Sequence, residues 1–202
     1  WRNAIPSLGR YGISGGGMNP RTMLFIGSFS RNQQDIPYIN DELIQHLETH
    51  GWNTLCASAR KNKLLFLLDI AWTIISKRKR YQLAEVDVFS GPAFTWAEVA
   101  VQLLHWLKKP VILVLHGGNL PAFSRRHPRR VKRVLSLASR LISPSAYLPE
   151  QLKHLRLSIS IIPNPIQLEA YTFRLRTRPS PRLVWLRAFH EIYNPSLAPR
   201  LI

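Results

Sequence analysis

Four polar stretches in this chain follow apolar runs and carry residue types that can do chemistry. They are Gly27-Ser28 in GSFSR, Ser90-Gly91 in SGPAF, His116-Gly117-Gly118-Asn119 in HGGN, and Asn164 in PNP. Glycine lets a backbone approach a ligand closely, and hydroxyl, amide and imidazole groups can hydrogen-bond to it. His116 stands out among them, because the apolar run VILVL at 111–115 leads straight into it. An imidazole donates or accepts near neutral pH, so it can hold a ligand hydroxyl or move a proton. The same residue could instead open a helix with its ring packed or bonded to backbone.

These stretches need elements to position them, and the hydrophobic pattern supplies alternating strands and helices. Strands are predicted over 22–30, 52–59, 83–90, 111–115 and 158–165. Helices are predicted over 37–52, 62–80, 93–109, 128–142 and 146–155, the basic helix at 128–142 running its last residues, RLIS, into a short strand. Such alternation predicts right-handed βαβ units: an α/β, Rossmann-like, mainly parallel sheet with helices on both faces. The continuous apolar strands agree, since both of their faces are then covered. In such a sheet ligands bind at the carboxyl ends of the strands, where all four stretches fall.

The domain scheme follows from composition. Residues 1–21 lack an initiator methionine and a clear hydrophobic period, and read as upstream translated sequence or a poorly ordered leader, with Met18 or Met23 as natural starts. Residues 22–171 form the α/β domain, and the Arg- and Pro-rich 172–181 reads as a linker. Residues 182–202, opening on a predicted strand RLVWLRAF (182–189) and then the first turn of a helix, read as the start of a second domain cut short.

Of 202 residues, 46% are hydrophobic, which excludes global disorder. Cys56 is the single cysteine, so an intrachain disulfide is excluded and a reducing, cytoplasmic setting fits. The longest apolar run, LLFLLDIAWTII, is interrupted by Asp69 and is short of the roughly 18–20 residues a membrane span needs. A net charge of +17 favours phosphate-bearing partners: nucleic acid, anionic headgroups or a phosphorylated small molecule.

The order of these pieces resembles the amino-terminal half of a family 4 glycosyltransferase of GT-B architecture. The matching stretches are LFIGSFS (24–30), HGW (50–52), VDVFSGPAF (86–94), LHGGN (115–119), ISPSAYL (142–148), IIPNPI (161–166) and LVWLRAFHEIYNP (183–195). The resemblance implies a retaining transferase that moves a sugar from a nucleotide-diphosphate sugar to a carbohydrate or lipid-linked acceptor. It implies no cofactor and no metal, and the chain has no Asp-x-Asp motif. His116 would be the catalytic residue, beside the transferred sugar, with Gly117 and Gly118 turning the chain beneath it. Gly27, Ser28, Ser90, Gly91, Asn119 and Asn164 would line the acceptor side of the cleft. Arg187 would contact the donor diphosphate, as a guanidinium fork suits phosphate. Where the family usually has Lys-Gly, this chain has Tyr193-Asn194. The family's glutamate pair lies deep in the second domain, so the piece alone should be inactive.

The other candidates read more plainly. Glu98 and Glu191 are single carboxylates expected in solvent. Cys56 lies within a strand and reads as a buried, inert thiol. Trp72, Trp96 and Trp106 fall at core-like helix positions and read as packing. The basic helix 128–142 reads either as a solvated face or as a contact with the inner face of the membrane, joined by Lys77–Arg80. Two further classes stay open: a basic nucleic-acid-binding module, and a non-catalytic membrane-surface domain. Zinc-ligand spacing, an RNP-type strand and a helix-turn-helix are all missing, so no specific nucleic-acid partner is expected.

Overall fold

The computed structural model of the chain describes residues 21–27, 39–57, 63–165, 172–175, 185, 189, 191 and 194–200. Two compact units divide it, Trp1–Ile166 and Gln167–Ile202. In the second, Trp185 stacks on Phe189 with ring centroids 6.4 Å apart, and Pro195–Arg200 forms a 3-10 segment. Of the strand expected over 182–189, only Trp185 and Phe189 fall among the described residues.

The first unit is the expected α/β layer structure. Six strands run β1 (Thr22–Ile26), β2 (Asn53–Ala57), β3 (Leu83–Val88), β4 (Val111–Leu115), β5 (Arg140–Ser143) and β6 (Ser160–Ile161). All are parallel, in the order β2-β1-β3-β4-β5-β6. The chain moves outward from β1 to β2 and returns to lay β3 on the other side of β1. Strand order therefore reverses between β1 and β3, and the reversal opens a crevice at their carboxyl ends.

Strand β1, paired on both sides, is buried along its whole length, which explains its uninterrupted apolar run. Along β3, Ala84, Val86 and Val88 point to one face, where they join Leu24, Ile26, Leu113 and Leu115 in the core. Over them lie α2 (Lys63–Ser76), α3 (Pro92–Trp106) and α5 (Pro128–Leu135), through Ile70, Ile74, Val101, Leu104, Val131 and Val134. Helix α1 (Ile39–Thr49) carries Asp41 and Glu42 in its first turn, where the helix dipole favours acids. It ends at Gly51, whose φ of 79° suits glycine, with Trp52 N–H closing on the Leu47 carbonyl at 3.0 Å.

Several expectations are corrected. The region read as one helix from 128 to 142 holds α5 alone, which stops at Leu135 before β5, and the preceding loop holds an unexpected helix, α4 (Leu120–Arg126). Pro121 and Pro128 each sit in the first turn of their helix, so two proline starts split one basic segment. Ser139 N–H already bonds to the Val111 carbonyl at 2.8 Å, which commits the chain to strand pairing. The strand expected over 158–165 pairs only at Ser160–Ile161. The short helix α6 (Tyr147–Gln151) continues as a 3-10 turn, Lys153–Leu155. Trp72 and Trp106 are not core residues but 71% and 72% exposed, each on the outward side of its helix. Cys56 is exposed rather than buried, because β2 is the sheet's edge. Glu98 is buried rather than solvated, and Arg130 and Arg133 neutralise it. Glu191 is exposed.

Candidate functional site

At the carboxyl ends of β3 and β4, His116 Nε2 lies 2.7 Å from Asp87 Oδ1. The backbone sets this up: His116 N–H bonds to the Val88 carbonyl at 2.9 Å, extending the β3–β4 ladder by one residue. The other Asp87 oxygen, Oδ2, accepts from Asn40 Nδ2 at 2.7 Å, tying α1 to the same carboxylate. Phe89 stacks on the imidazole, with centroids 5.0 Å apart and planes 19° apart. The His116 and Asp87 side chains are only 14% and 6% exposed, so water competes weakly for this bond.

The carboxylate selects the tautomer. It accepts from Nε2–H, so in the neutral ring Nδ1 keeps its lone pair and can accept from a ligand hydroxyl. Gly27 is part of the same construction. A methyl group there would overlap the Asp87 carboxylate and come within 2.6 Å of Asn40 Nδ2. Here the requirement for glycine is steric: the end of β1 must leave room for the carboxylate of β3.

The expected residues are brought together in part. Gly27 and His116 meet through Asp87. Ser90 and Gly91 follow the end of β3, and Gly91, at φ 69°, turns the chain into α3. Gly117, at φ 84°, Gly118 and Asn119 are exposed beside His116 and lead into α4. Asn164 is not brought in. It is exposed beyond β6, two strands past β4 at the sheet's edge. Ser28 and Arg187 lie outside the described residues.

Asp87, Asn40 and Glu85 were missed in the sequence. A signal was present in LAEVDV, where two carboxylates interrupt a strand that is otherwise apolar. Glu85 shares the face of Asp87 by strand alternation and is 1% exposed, with no hydrogen-bond partner for either oxygen among the described residues. Burial, then the nearby Asp87 charge, pushes its carboxyl well above the usual glutamate value. A small open pocket at Asp87 is lined also by Gly27, Phe66, Ile70, Phe89 and Trp96, and neither His116 nor Glu85 lines it. Trp96 packs on Phe66, centroids 4.8 Å apart, so it serves the core and borders the pocket at once. Among the described residues, no three His, Cys, Asp or Glu side chains are grouped to hold a metal ion.

No protein-family model matches the chain, and no curated protein matches it. Among solved structures it is similar to a response regulator protein from Burkholderia multivorans. The two share 14% identity over 68% of this chain and 96% of that one, with a TM-score of 0.33.

Proposed function

We propose that the first unit is the acceptor-side half of a retaining, metal-independent sugar transferase. Its donor is a nucleotide-diphosphate sugar, and its acceptor a carbohydrate or lipid-linked carbohydrate. The observation that carries this reading is the Asp87–His116 pair at 2.7 Å, at the carboxyl ends of β3 and β4, with Asp87 against Gly27 at the β1–β3 reversal. A carboxylate-oriented imidazole presenting Nδ1 beside glycine-bearing turns suits a polyhydroxyl ligand, which needs directed acceptors and close backbone. The stretch LHGGN, which resembles a stretch of family 4 glycosyltransferases, contains that histidine.

In this reading His116 Nδ1 accepts from a hydroxyl of the transferred sugar, and Asp87 holds the ring and its tautomer. Gly117 and Gly118 let the chain pass beneath the sugar, and Arg187 is assigned to the donor diphosphate. Turnover then requires a donor-side domain facing this crevice. Saturation-transfer NMR on the purified chain tests the binding half. Sugar-ring protons of a nucleotide-diphosphate sugar or an oligosaccharide should receive saturation, and His116→Ala should remove it while the circular-dichroism spectrum stays unchanged. Sugar signals that persist unchanged in His116→Ala, or that never appear with the wild-type chain, would sink the proposal.

A further inference from the structure

We propose that the outer face of α2, together with the basic turn that ends it, docks onto an anionic lipid bilayer. This inference is independent of the sugar-transfer reading. Helix α2 is apolar on two sides. Its inner side buries Ile70 and Ile74 completely. Leu65, Leu68, Trp72 and Ile75 recur at intervals of three and four along the opposite side, in one stripe, and are 47%, 58%, 71% and 37% exposed. A helix that is hydrophobic all round is normally covered on every side.

Charge identifies what covers it. The turn directly after α2 is Lys77-Arg78-Lys79-Arg80, with Arg78, Lys79 and Arg80 exposed. Past the end of α3, Lys109 Nζ donates to the Tyr81 carbonyl at 2.7 Å and sits 5.0 Å from the Tyr81 ring centre, tying this segment to the residue that follows the basic turn. Trp106, which ends α3, is 72% exposed, and Lys108 is exposed. Asp69, the single acid on α2, is half-buried. Exposed indoles beside a cluster of lysine and arginine are the composition of a helix lying in a membrane interface. The rings sit at headgroup level and the cations meet lipid phosphates. Among the described residues no helix is long and apolar enough to cross a membrane, so the contact is lateral.

A second copy of the chain accounts for less of this surface. A twofold contact with parallel helices would bring two Lys77–Arg80 turns together, and like charges repel, whereas an antiparallel one would cover the stripe but neither basic turn. The basic helix α5 is a weaker membrane candidate than its charge suggests. Arg130 Nε and Nη2 both bond to Glu98 Oε2, at 2.8 and 2.6 Å, and Arg133 Nη2 bonds to Glu98 Oε1 at 2.7 Å. Two of its cations therefore already have a partner within the fold.

Co-sedimentation of the full 202-residue chain with vesicles tests the surface. It should bind phosphatidylcholine vesicles containing phosphatidylglycerol, bind plain phosphatidylcholine poorly, and release as salt rises. The pair Leu68→Glu and Trp72→Glu, both at exposed positions, should lower vesicle affinity by about tenfold or more. Arg78→Glu with Lys79→Glu should lower it by a similar factor and flatten the salt dependence. Arg129→Glu with Lys132→Glu on α5 should change it by less than about threefold. Three results would overturn the proposal: no preference for the anionic vesicles, full binding by the α2 stripe pair, or a wild-type dimer that this pair splits.

Discussion

Asp87 Oδ1 and His116 Nε2 lie 2.7 Å apart, joining the carboxyl ends of two neighbouring strands, and Asn40 holds the second carboxylate oxygen. The carboxylate acts on the far side of the ring, because it decides which nitrogen keeps the proton. Asp87→Asn can offer its own amide N–H to Nε2, which moves the ring proton to Nδ1 and turns the acceptor proposed for the ligand into a donor. Affinity for a sugar ligand is expected to fall about tenfold, the value of one hydrogen bond to a charged or oriented group. Titration calorimetry against the wild type checks this, and an unchanged affinity would detach Asp87 from ligand binding.

Gly27→Ala should strike the same network from another strand. The added methyl overlaps the Asp87 carboxylate and crowds Asn40 Nδ2, so one of those hydrogen bonds must break or β1 must shift. Overpacking of this kind costs about 1–3 kcal/mol. Urea denaturation should show that loss, and the His116 ring resonances should move in the same variant. A fully stable Gly27→Ala with unmoved His116 resonances would contradict the packing described.

Glu98 ties α3 to α5 through Arg130 and Arg133. Burial works to raise its carboxyl, but the hydrogen bonds and charges of Arg130 and Arg133 outweigh it and hold the group below its ordinary value of 4.5. A lowered carboxyl stabilises the fold above the unfolded value and loses that effect as pH falls through the folded one. Glu98→Gln should therefore cost about 1–2 kcal/mol near neutral pH, a figure reduced because Arg133 is largely exposed and water screens it. The difference between variant and wild type should close as the solution is acidified below 4.5. Denaturation curves across that range decide it.

Glu85 carries the opposite sign. Burial, then Asp87, raises its carboxyl well above 4.5. At acid pH both folded and unfolded chains hold the proton. As pH rises past 4.5 the unfolded chain releases it while the folded chain retains it, so stability falls until the folded group ionises. Glu85→Gln removes this penalty. Its melting temperature should exceed that of the wild type by several degrees near neutral pH, and the gap should narrow toward acid. A gap independent of pH would show that Glu85 is not protonated in the fold.

The expectations that held and those that failed differ in physical kind. Strand β4 was legible to the residue, because a buried parallel strand is apolar throughout and His116 marks its end. The helix start at Pro128 was legible, whereas α4 with its Pro121 was not, and the apolar positions continuing through Ala138 and Ile142 concealed the stop at Leu135. Trp72 and Trp106 could not be placed by type. An indole on an apolar helix goes inward or outward according to which side the sheet occupies, and α2 is apolar on both. Glu98 resembled any solvated helical acid until the fold set two arginines from 130 and 133 beside it.

By itself, the order of apolar runs, glycines and prolines determined the α/β class, the parallel sheet and the loops at its carboxyl ends. Those are local properties, since strand burial and turn conformation leave their mark on adjacent residues. Only the tertiary structure decided that the order reverses between β1 and β3, that Asp87 orients His116, and that Gly27 clears space for that carboxylate. These depend on pairing between segments far apart in the chain. Gly27 and Asp87 meet because β1 and β3 are neighbours in the sheet, which no spacing in the sequence between them encodes.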